Sequence, residues 1–486
     1  MREALAGWRA AGHELPGPGA GAFAVARAPG RLDLIGGIAD YSGSEVLQRP
    51  VREAVVVVAR RTREPTLRIL TESPGRPPRR VELALAAFAP GGACATPGAA
   101  RAHFAARPDE AWAGYVAGPF LMLSREAGLV PAAGYELLLH SEVPEGKGVS
   151  SSAAFEVAAA GALARLEGLP VANDGAALAR LCQRAENEVV GAPCGLMDQM
   201  TSALGEAGTL FALHCVPDRV LPAVPLADGF AVWGIDSGVR HAVSGADYGS
   251  VRVGAFMGYR LLLEAAGVAG PEVRAADVVD SRWGGYLANA TPSELDDELA
   301  HALPGRMTGA AFLARFDAIT DRVTRVDPER EYAVRAPTRH PVLERQRVRA
   351  FRQLMGALCA TADERARDDA AVTMGECLYA SHAGYGACGL GTPETDALVA
   401  AVRAAGPEAG LFGARVSGGG SGGTVAVFGR EGAADAVARI AEAHRERVRR
   451  RDPAADVRLF AGSSDGLRTW SLGDGADGVR EPAPSR

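Results

Sequence analysis

Pro144-Glu145-Gly146-Lys147-Gly148-Val149-Ser150-Ser151-Ser152-Ala153-Ala154 is the stretch on which the reading of this chain turns. Gly146 and Gly148 carry no Cβ, so the backbone there can bend tightly and approach a ligand closely. Three serines follow, then a helix-forming run from Ala153 to Glu167. The residues before, Tyr135 to His140, read as a strand. A strand, a Gly/Ser loop and a helix start form an anion cradle, because free N–H groups and the positive helix end face whatever binds. That suggests a phosphate site. The same letters also describe an ordinary serine N-cap, so the stretch alone leaves both readings open. It is no Walker loop, because Gly148 follows Gly146-Lys147, and no Rossmann turn, because the third glycine is missing.

The surrounding chain has 486 residues, enough for two or three domains and a large core. A net charge of −6 argues against a nucleic-acid partner, which would call for a basic stripe. No apolar run reaches the length of a membrane span, and no secretory signal pattern opens the chain. The cysteines, at 94, 182, 194, 215, 359, 377 and 388, are odd in number and dispersed. That fits a reducing cytoplasm without a disulfide framework. No CxxC or HxxxH spacing offers a protein-only metal site. The expected protein is cytoplasmic and monomeric, with neither nucleic-acid nor membrane partner.

Working outward, Phe23 to Arg27 reads as a strand. Ala28 to Ser44 then reads as a glycine-lined loop in which Arg31, Asp33 and Asp40 stand among apolar residues. Isolated charges in such a loop point to a site. Val51 to Thr62 is β-branched and reads as a central strand. Residues 72–110 are rich in Pro, Gly and Ala, with a weak strand signal around Val81 to Leu85, and read as a mobile excursion. Trp112 to Ala127, Gly175 to Val190, and residues 250–266, 344–362 and 367–382 read as helices. Thr209 to Cys215, Phe230 to Ile235, Ala414 to Ser417 and Thr424 to Phe428 read as strands. The Pro/Ala/Asp segment Pro217 to Gly229 divides an N-terminal domain, 1–222, from a C-terminal one, 223–470, with a polar tail over 471–486. Gly384 to Gly389 and Gly418 to Gly423 both spell GxGxxG, but neither lies between a strand and a helix, so dinucleotide binding is rejected. A glycine run between two strands signals instead a close approach to a ligand or another backbone.

Three separated stretches, Ala28-Pro29-Gly30-Arg31 with Asp40-Tyr41, Pro144 to Ala154, and Gly418 to Gly423, together resemble the signature motifs of the GHMP small-molecule kinases. Their order and separations suit the galactokinase branch. Cys194-Gly195-Leu196-Met197-Asp198-Gln199 resembles that branch's catalytic-aspartate segment, and Val239-Arg240-His241 with Tyr248 its sugar-contact segment. The match covers roughly residues 23 to 465, and the joint occurrence is specific where each motif alone is not. Gly36 to Ser44, Trp283 to Asn289 and Tyr385 to Gly391 are similar to the L-arabinokinase group within the branch.

The resemblance implies an α/β (α+β) two-domain GHMP kinase fold. The N-terminal domain would be ribosomal-S5-like α/β and the C-terminal one ferredoxin-like α/β, with the active site between them. It implies transfer of the γ-phosphoryl of ATP to the anomeric hydroxyl of a free sugar, L-arabinose first, with galactose or a modified sugar as the alternative. A non-catalytic sugar sensor would not need the intact set Arg31, Ser152, Glu186 and Asp198. Carried over by residue, Asp198 is the base and Arg31 the cation beside it. Pro144, Glu145, Gly146, Lys147, Gly148, Val149, Ser150, Ser151 and Ser152 wrap the ATP phosphates, and Trp112 packs near adenine. Ser152 and Glu186 match the Mg2+ positions, although alone Glu186 reads as a solvated helix charge. Gly37, Ile38, Asp40, Cys194, Gly195, Tyr248, Gly419 and Gly420, with Asp198, face the sugar. One departure is informative. Galactokinases carry Glu-His where this chain has Gly37-Ile38, and that pair contacts the sugar around its exocyclic hydroxymethyl. L-Arabinopyranose has the D-galactopyranose ring configuration without that group. Space opened at Gly37 and an apolar wall at Ile38 therefore fit a pentose.

Overall fold

The computed structural model describes residues 22–88, 94–131, 134–239, 246–453 and 455–472. Its first two strands, β1 (Phe23–Ile35) and β2 (Glu45–Thr62), are buried along most of their length. The β-branched run Val55 to Val58 marks β2, whereas Pro29, Gly30, Arg31 and Asp33 interrupt the apolar pattern of β1. They pair antiparallel from Phe23↔Arg60 to Ile35↔Leu47. β1 thereby absorbs Ala28 to Ile35, the start of the segment read as a loop, and the part that leaves the sheet, residues 36–44, is built on the 3-10 turn Gly37–Ser42. β3 (Thr66–Glu72) and β4 (Arg79–Ala84) form a hairpin, and α1 (Pro97–Ala105) follows. The expected excursion over 72–110 thus includes regular elements, β4 and α1, among its described residues. Within it, β4 alternates buried Val81 and Leu83 with exposed neighbours, where the sequence carries its weak strand signal.

α2 (Gly114–Glu126), β5 (Gly134–Ser141) and α3 (Ser151–Leu166) come next, with β5 antiparallel to β2 and parallel to β3. α3 is buried on nearly every side from Ala153 to Ala164. Its alanines let it press against the sheet and against α2 and α4 (Gly175–Ala185) together. α5 (Met197–Leu204) and β6 (Thr209–His214) complete this half.

The second sheet has β7 (Phe230–Asp236) at its centre. α6 (Ala246–Ala265), α7 (Arg335–Ala360), α8 (Glu364–Ala387) and α9 (Pro393–Ala405) follow. Then come β8 (Leu411–Val416), β9 (Thr424–Arg430), α10 (Ala434–Arg449) and the short β10 (Leu459–Phe460). The strand order is β8-β9-β7-β10, all antiparallel. α8 and α9 pack on β8. The chain returns in β11 (Arg468–Leu472), which pairs with β1 as Phe23↔Leu472. Among the described residues, no helix is long and apolar enough to cross a membrane.

The sheets meet at three backbone segments. The Arg31 N–H donates to the Val149 carbonyl at 3.0 Å. A Cβ at Gly30 would lie 2.5 Å from that same carbonyl, so only glycine permits this approach. From the other side, the Thr424 hydroxyl donates to the Lys147 carbonyl at 2.7 Å. The Gly146–Ser152 loop is therefore held between β1 and the glycine-rich β8–β9 turn.

Candidate active site

At that junction Arg31 and Asp198 face one another. Arg31 Nε donates to Asp198 Oδ1 at 2.8 Å and its terminal nitrogen to Oδ2 at 2.7 Å, a bidentate pair. The remaining terminal nitrogen of Arg31 donates to the Gly148 carbonyl at 2.8 Å. The Ser150 hydroxyl also donates to Asp198 Oδ2. Ser150 occupies the left-handed region at φ 56°, where a non-glycine residue is strained. The surrounding bonds hold it there with its hydroxyl on the aspartate. The Arg31 side chain is 4% exposed and that of Asp198 is 19% exposed. Both line a cavity of about 260 Å3, the cation nearly buried in its wall and the carboxylate more open to it.

One wall of that cavity comes from the 3-10 turn and the segment before α5. Ile38, Asp40, Cys194, Gly195 and Tyr248 line it. A Cβ at Gly195 would fall 1.7 Å from Asp40 Oδ2, so the missing side chain makes room for the Asp40 carboxylate. Burial, and then the nearby Asp198 charge, push the Asp40 carboxyl up to about 7; Arg252 and the Tyr41 N–H pull the other way. Arg252 is held by Asp321 at 2.7 and 2.9 Å and lies 5.1 Å from the Tyr41 ring centre.

The opposite wall is aromatic. Trp112, Tyr115 and Phe155 line it, and the Arg79 guanidinium sits 4.6 Å above the Trp112 ring. Between the walls, Gly146, Gly148 and Ser150 to Ser152 present the loop and the α3 start, with Glu145 beside them. Glu186 also reaches the cavity. It opens a single π-helical turn, Glu186–Val190, a widening that often marks functional positions. Glu186 is only 4% exposed, the reverse of a solvated helix charge. Gln199 Nε2 donates to it at 2.6 Å and to Glu156 at 3.0 Å. Burial first, then Asp198, push the Glu186 carboxyl up to about 7, against hydrogen bonds from Cys194, Ser152 and Gln199. Among the described residues, no three His, Cys, Asp or Glu side chains group as a metal site. A hydroxyl and one carboxylate, those of Ser152 and Glu186, are nonetheless the kind of oxygen donors Mg2+ takes when phosphate and water supply the rest.

Several expected residues stand elsewhere. Lys147 turns out of the cavity, pairing with Asp236 at 2.7 Å and donating to the Asp456 carbonyl at 2.9 Å. It anchors the loop to β7 instead of facing it inward. Pro144 lies on that same outer side. Val149 is buried, and its contribution here is the carbonyl that receives Arg31. Gly419 lines the cavity, whereas a Cβ at Gly420 would strike Leu390 at 2.7 Å. Gly37 opens no space, because Tyr385 fills the volume beside it. Arg240 and His241 lie outside the described residues. Sequence reasoning missed Arg79, Tyr115, Arg252 and Arg415, which pairs with the fully buried Asp33 at 2.7 Å. Asp33, in the glycine-lined loop, and Tyr385, inside a motif already singled out, had carried a signal.

The model of the GHMP kinases N terminal domain matches residues 114–206. The galactokinase galactose-binding signature matches 18–61, and the GHMP kinases C terminal model 341–446. An L-arabinokinase of Arabidopsis thaliana is 41% identical over 451 residues, which is 84% of this chain and 42% of that protein. A galactokinase of Streptomyces coelicolor is 32% identical over 418 residues, 85% of this chain and 87% of the relative. One from Chloroflexus aggregans is 33% identical over 53% of this chain and 60% of its own length. This chain thus spans less than half of the Arabidopsis protein and under two thirds of the Chloroflexus one. Lactococcus lactis galactokinase complexed with galactose has the same fold, with a TM-score of 0.66 and 20% identity. That superposition covers 92% of this chain and 94% of the other.

Proposed function

This chain belongs to the GHMP kinase family, in its galactokinase branch, and from that membership we propose that it is an ATP-dependent sugar-1-kinase acting on L-arabinose. The observation that carries the chemistry is the Arg31–Asp198 pair, set against the Gly146–Ser152 loop in a single cavity. Phosphoryl transfer asks chiefly for positioning and for charge stabilisation. Asp198 takes the proton of the anomeric hydroxyl as that oxygen attacks the γ-phosphorus and the bond to the departing ADP breaks. Its Oδ2 is engaged by Arg31 and Ser150, whereas Oδ1 receives only the Arg31 Nε among the described contacts. A carboxylate oxygen has two lone pairs, so Oδ1 keeps one for the sugar. Arg31 fixes the carboxylate plane and brings positive charge close to the transferring group.

The backbone of Gly146 to Ser152 cradles the phosphates, and the Trp112 wall takes the adenine. Ser152 and Glu186 would hold Mg2+, which supplies charge neutralisation on the phosphates. Asp40 accepts ring hydroxyls common to L-arabinose and D-galactose. Pentose preference is supported by the apolar Ile38 in the wall and by the 41% identity to an L-arabinokinase. A hydroxymethyl oxygen buried there without a partner would cost about 1–3 kcal/mol. The match to the galactose-binding signature favours a second reading, a kinase for D-galactose itself. ADP release from MgATP with L-arabinose, D-galactose, D-xylose and D-glucuronic acid tests both. The proposal expects ADP with L-arabinose and a non-reducing sugar 1-phosphate as product. No ADP with any sugar, or a product that still reduces, would contradict it.

A further inference from the structure

The side chain absent at position 37 has a substitute from another part of the chain. Gly37 sits at φ +43°, and a Cβ there would fall 1.8 Å from the phenol oxygen of Tyr385. The next nearest atoms are Asp33 Oδ2 at 2.7 Å and an Arg415 nitrogen at 2.8 Å. Tyr385 lies on α8, 347 residues from Ile38, and is completely buried. Its hydroxyl accepts the Ile38 N–H at 2.9 Å and donates to the Gly418 carbonyl at 2.7 Å. Ile38 and Gly418 both line the cavity, one from the β1 side and one from the glycine-rich turn. The ring itself is fixed edge-on to His340, with centres 5.3 Å apart, and by the Arg415 guanidinium at 4.8 Å.

We infer that Tyr385 is a specificity-positioning residue of the sugar subsite: its hydroxyl fills the volume of a side chain at Gly37 and locks Ile38 to Gly418, keeping that wall apolar and unyielding. The inference rests on the sugar-kinase reading above. A phenol has one proton, and the Gly418 carbonyl receives it, so Tyr385 offers a ligand no donor. Ile38 cannot move away from a bulkier sugar without giving up its hydrogen bond to the phenol. An acidic side chain introduced at Gly37 would meet the phenol before it met a substrate. Exchanging Gly37 and Ile38 alone therefore cannot rebuild a hexose subsite.

Two measurements on the full chain test this. The first needs no substrate: thermal unfolding of wild type, Gly37→Ala, Tyr385→Phe and the double variant. Gly37→Ala should lower the midpoint, and should lower it less in the Tyr385→Phe background, where the obstructing oxygen is gone. An equal lowering in both backgrounds would overturn the assignment of Tyr385 as the occupant. The second is kcat/KM for L-arabinose and D-galactose in wild type and Tyr385→Phe, a variant that keeps the buried ring. The L-arabinose:D-galactose ratio should fall about tenfold as the wall loosens, with KM for ATP unchanged within about twofold. A ratio that stays put while both sugars lose activity equally would overturn the specificity role. A wild type inert toward both sugars would overturn the proposed function instead, and the unfolding series would still report on Tyr385.

Discussion

Arg31 and Asp198 are 167 residues apart in the chain and share two parallel hydrogen bonds, 2.8 and 2.7 Å long, at the cavity wall. One comes from the middle of a buried strand and the other from the first turn of a short helix. The buried guanidinium has no other carboxylate among its described bonds, so each member of the pair fixes the other.

Asp198→Asn tests the role given to the carboxylate. An amide cannot accept the hydroxyl proton, and kcat should fall by about 10²–10⁴. ATP binding, followed by nucleotide-induced stabilisation, should persist, because no phosphate-loop backbone group is removed. Turnover near the wild-type rate would show that Asp198 is not the base.

How much of this was legible in the sequence varies by residue. The Gly146–Ser152 loop was readable because strand, loop and helix are contiguous and local propensities agree. β1 was not, beyond Arg27, because Pro29, Gly30 and Gly36 mimic a loop. Gly30 is glycine to admit the Val149 carbonyl, a reason found 119 positions away. The Arg31–Asp198 pair was reachable only through the resemblance, since nothing in either local stretch points to the other. Glu186 looks solvated within Arg184-Ala185-Glu186-Asn187-Glu188, and its burial comes from tertiary packing. Lys147 misled for the opposite reason. The resemblance set it among the loop residues around the phosphates, but Asp236 from the other sheet claims its side chain.

Glu186→Gln tests the metal position. Losing the negative charge should raise the Mg2+ concentration for half-maximal activity by roughly tenfold or more, given how strongly Mg2+ prefers carboxylate and phosphate oxygens. Direct titration with Mn2+, read by paramagnetic relaxation in the presence of nucleotide, should show the same weakening. Unchanged metal dependence in both assays would remove Glu186 from the set.

Asp40 makes a prediction about pH. Its carboxyl rises from 3.8 to about 7 on folding, mainly through burial. Between roughly pH 4 and 7 the folded chain keeps a proton that the unfolded chain has released. The stability this provides is complete below about pH 4 and is lost as pH rises through 7. Asp40→Asn removes that dependence. The melting temperature of the variant minus that of wild type should therefore increase from pH 4 to pH 7.5. A difference that is flat or decreases over that range would contradict the buried, proton-retaining carboxyl.

The central claim concerns which sugar this cavity selects. The most direct measurement is kcat/KM of the wild-type chain for L-arabinose and for D-galactose, with saturating MgATP and product identified as the 1-phosphate. The apolar Ile38 wall predicts a preference for L-arabinose on the order of 10²-fold, with residual galactose activity, since an apolar wall rejects an added hydroxyl only moderately. A wild type that prefers D-galactose, or treats the two sugars alike, would contradict the account.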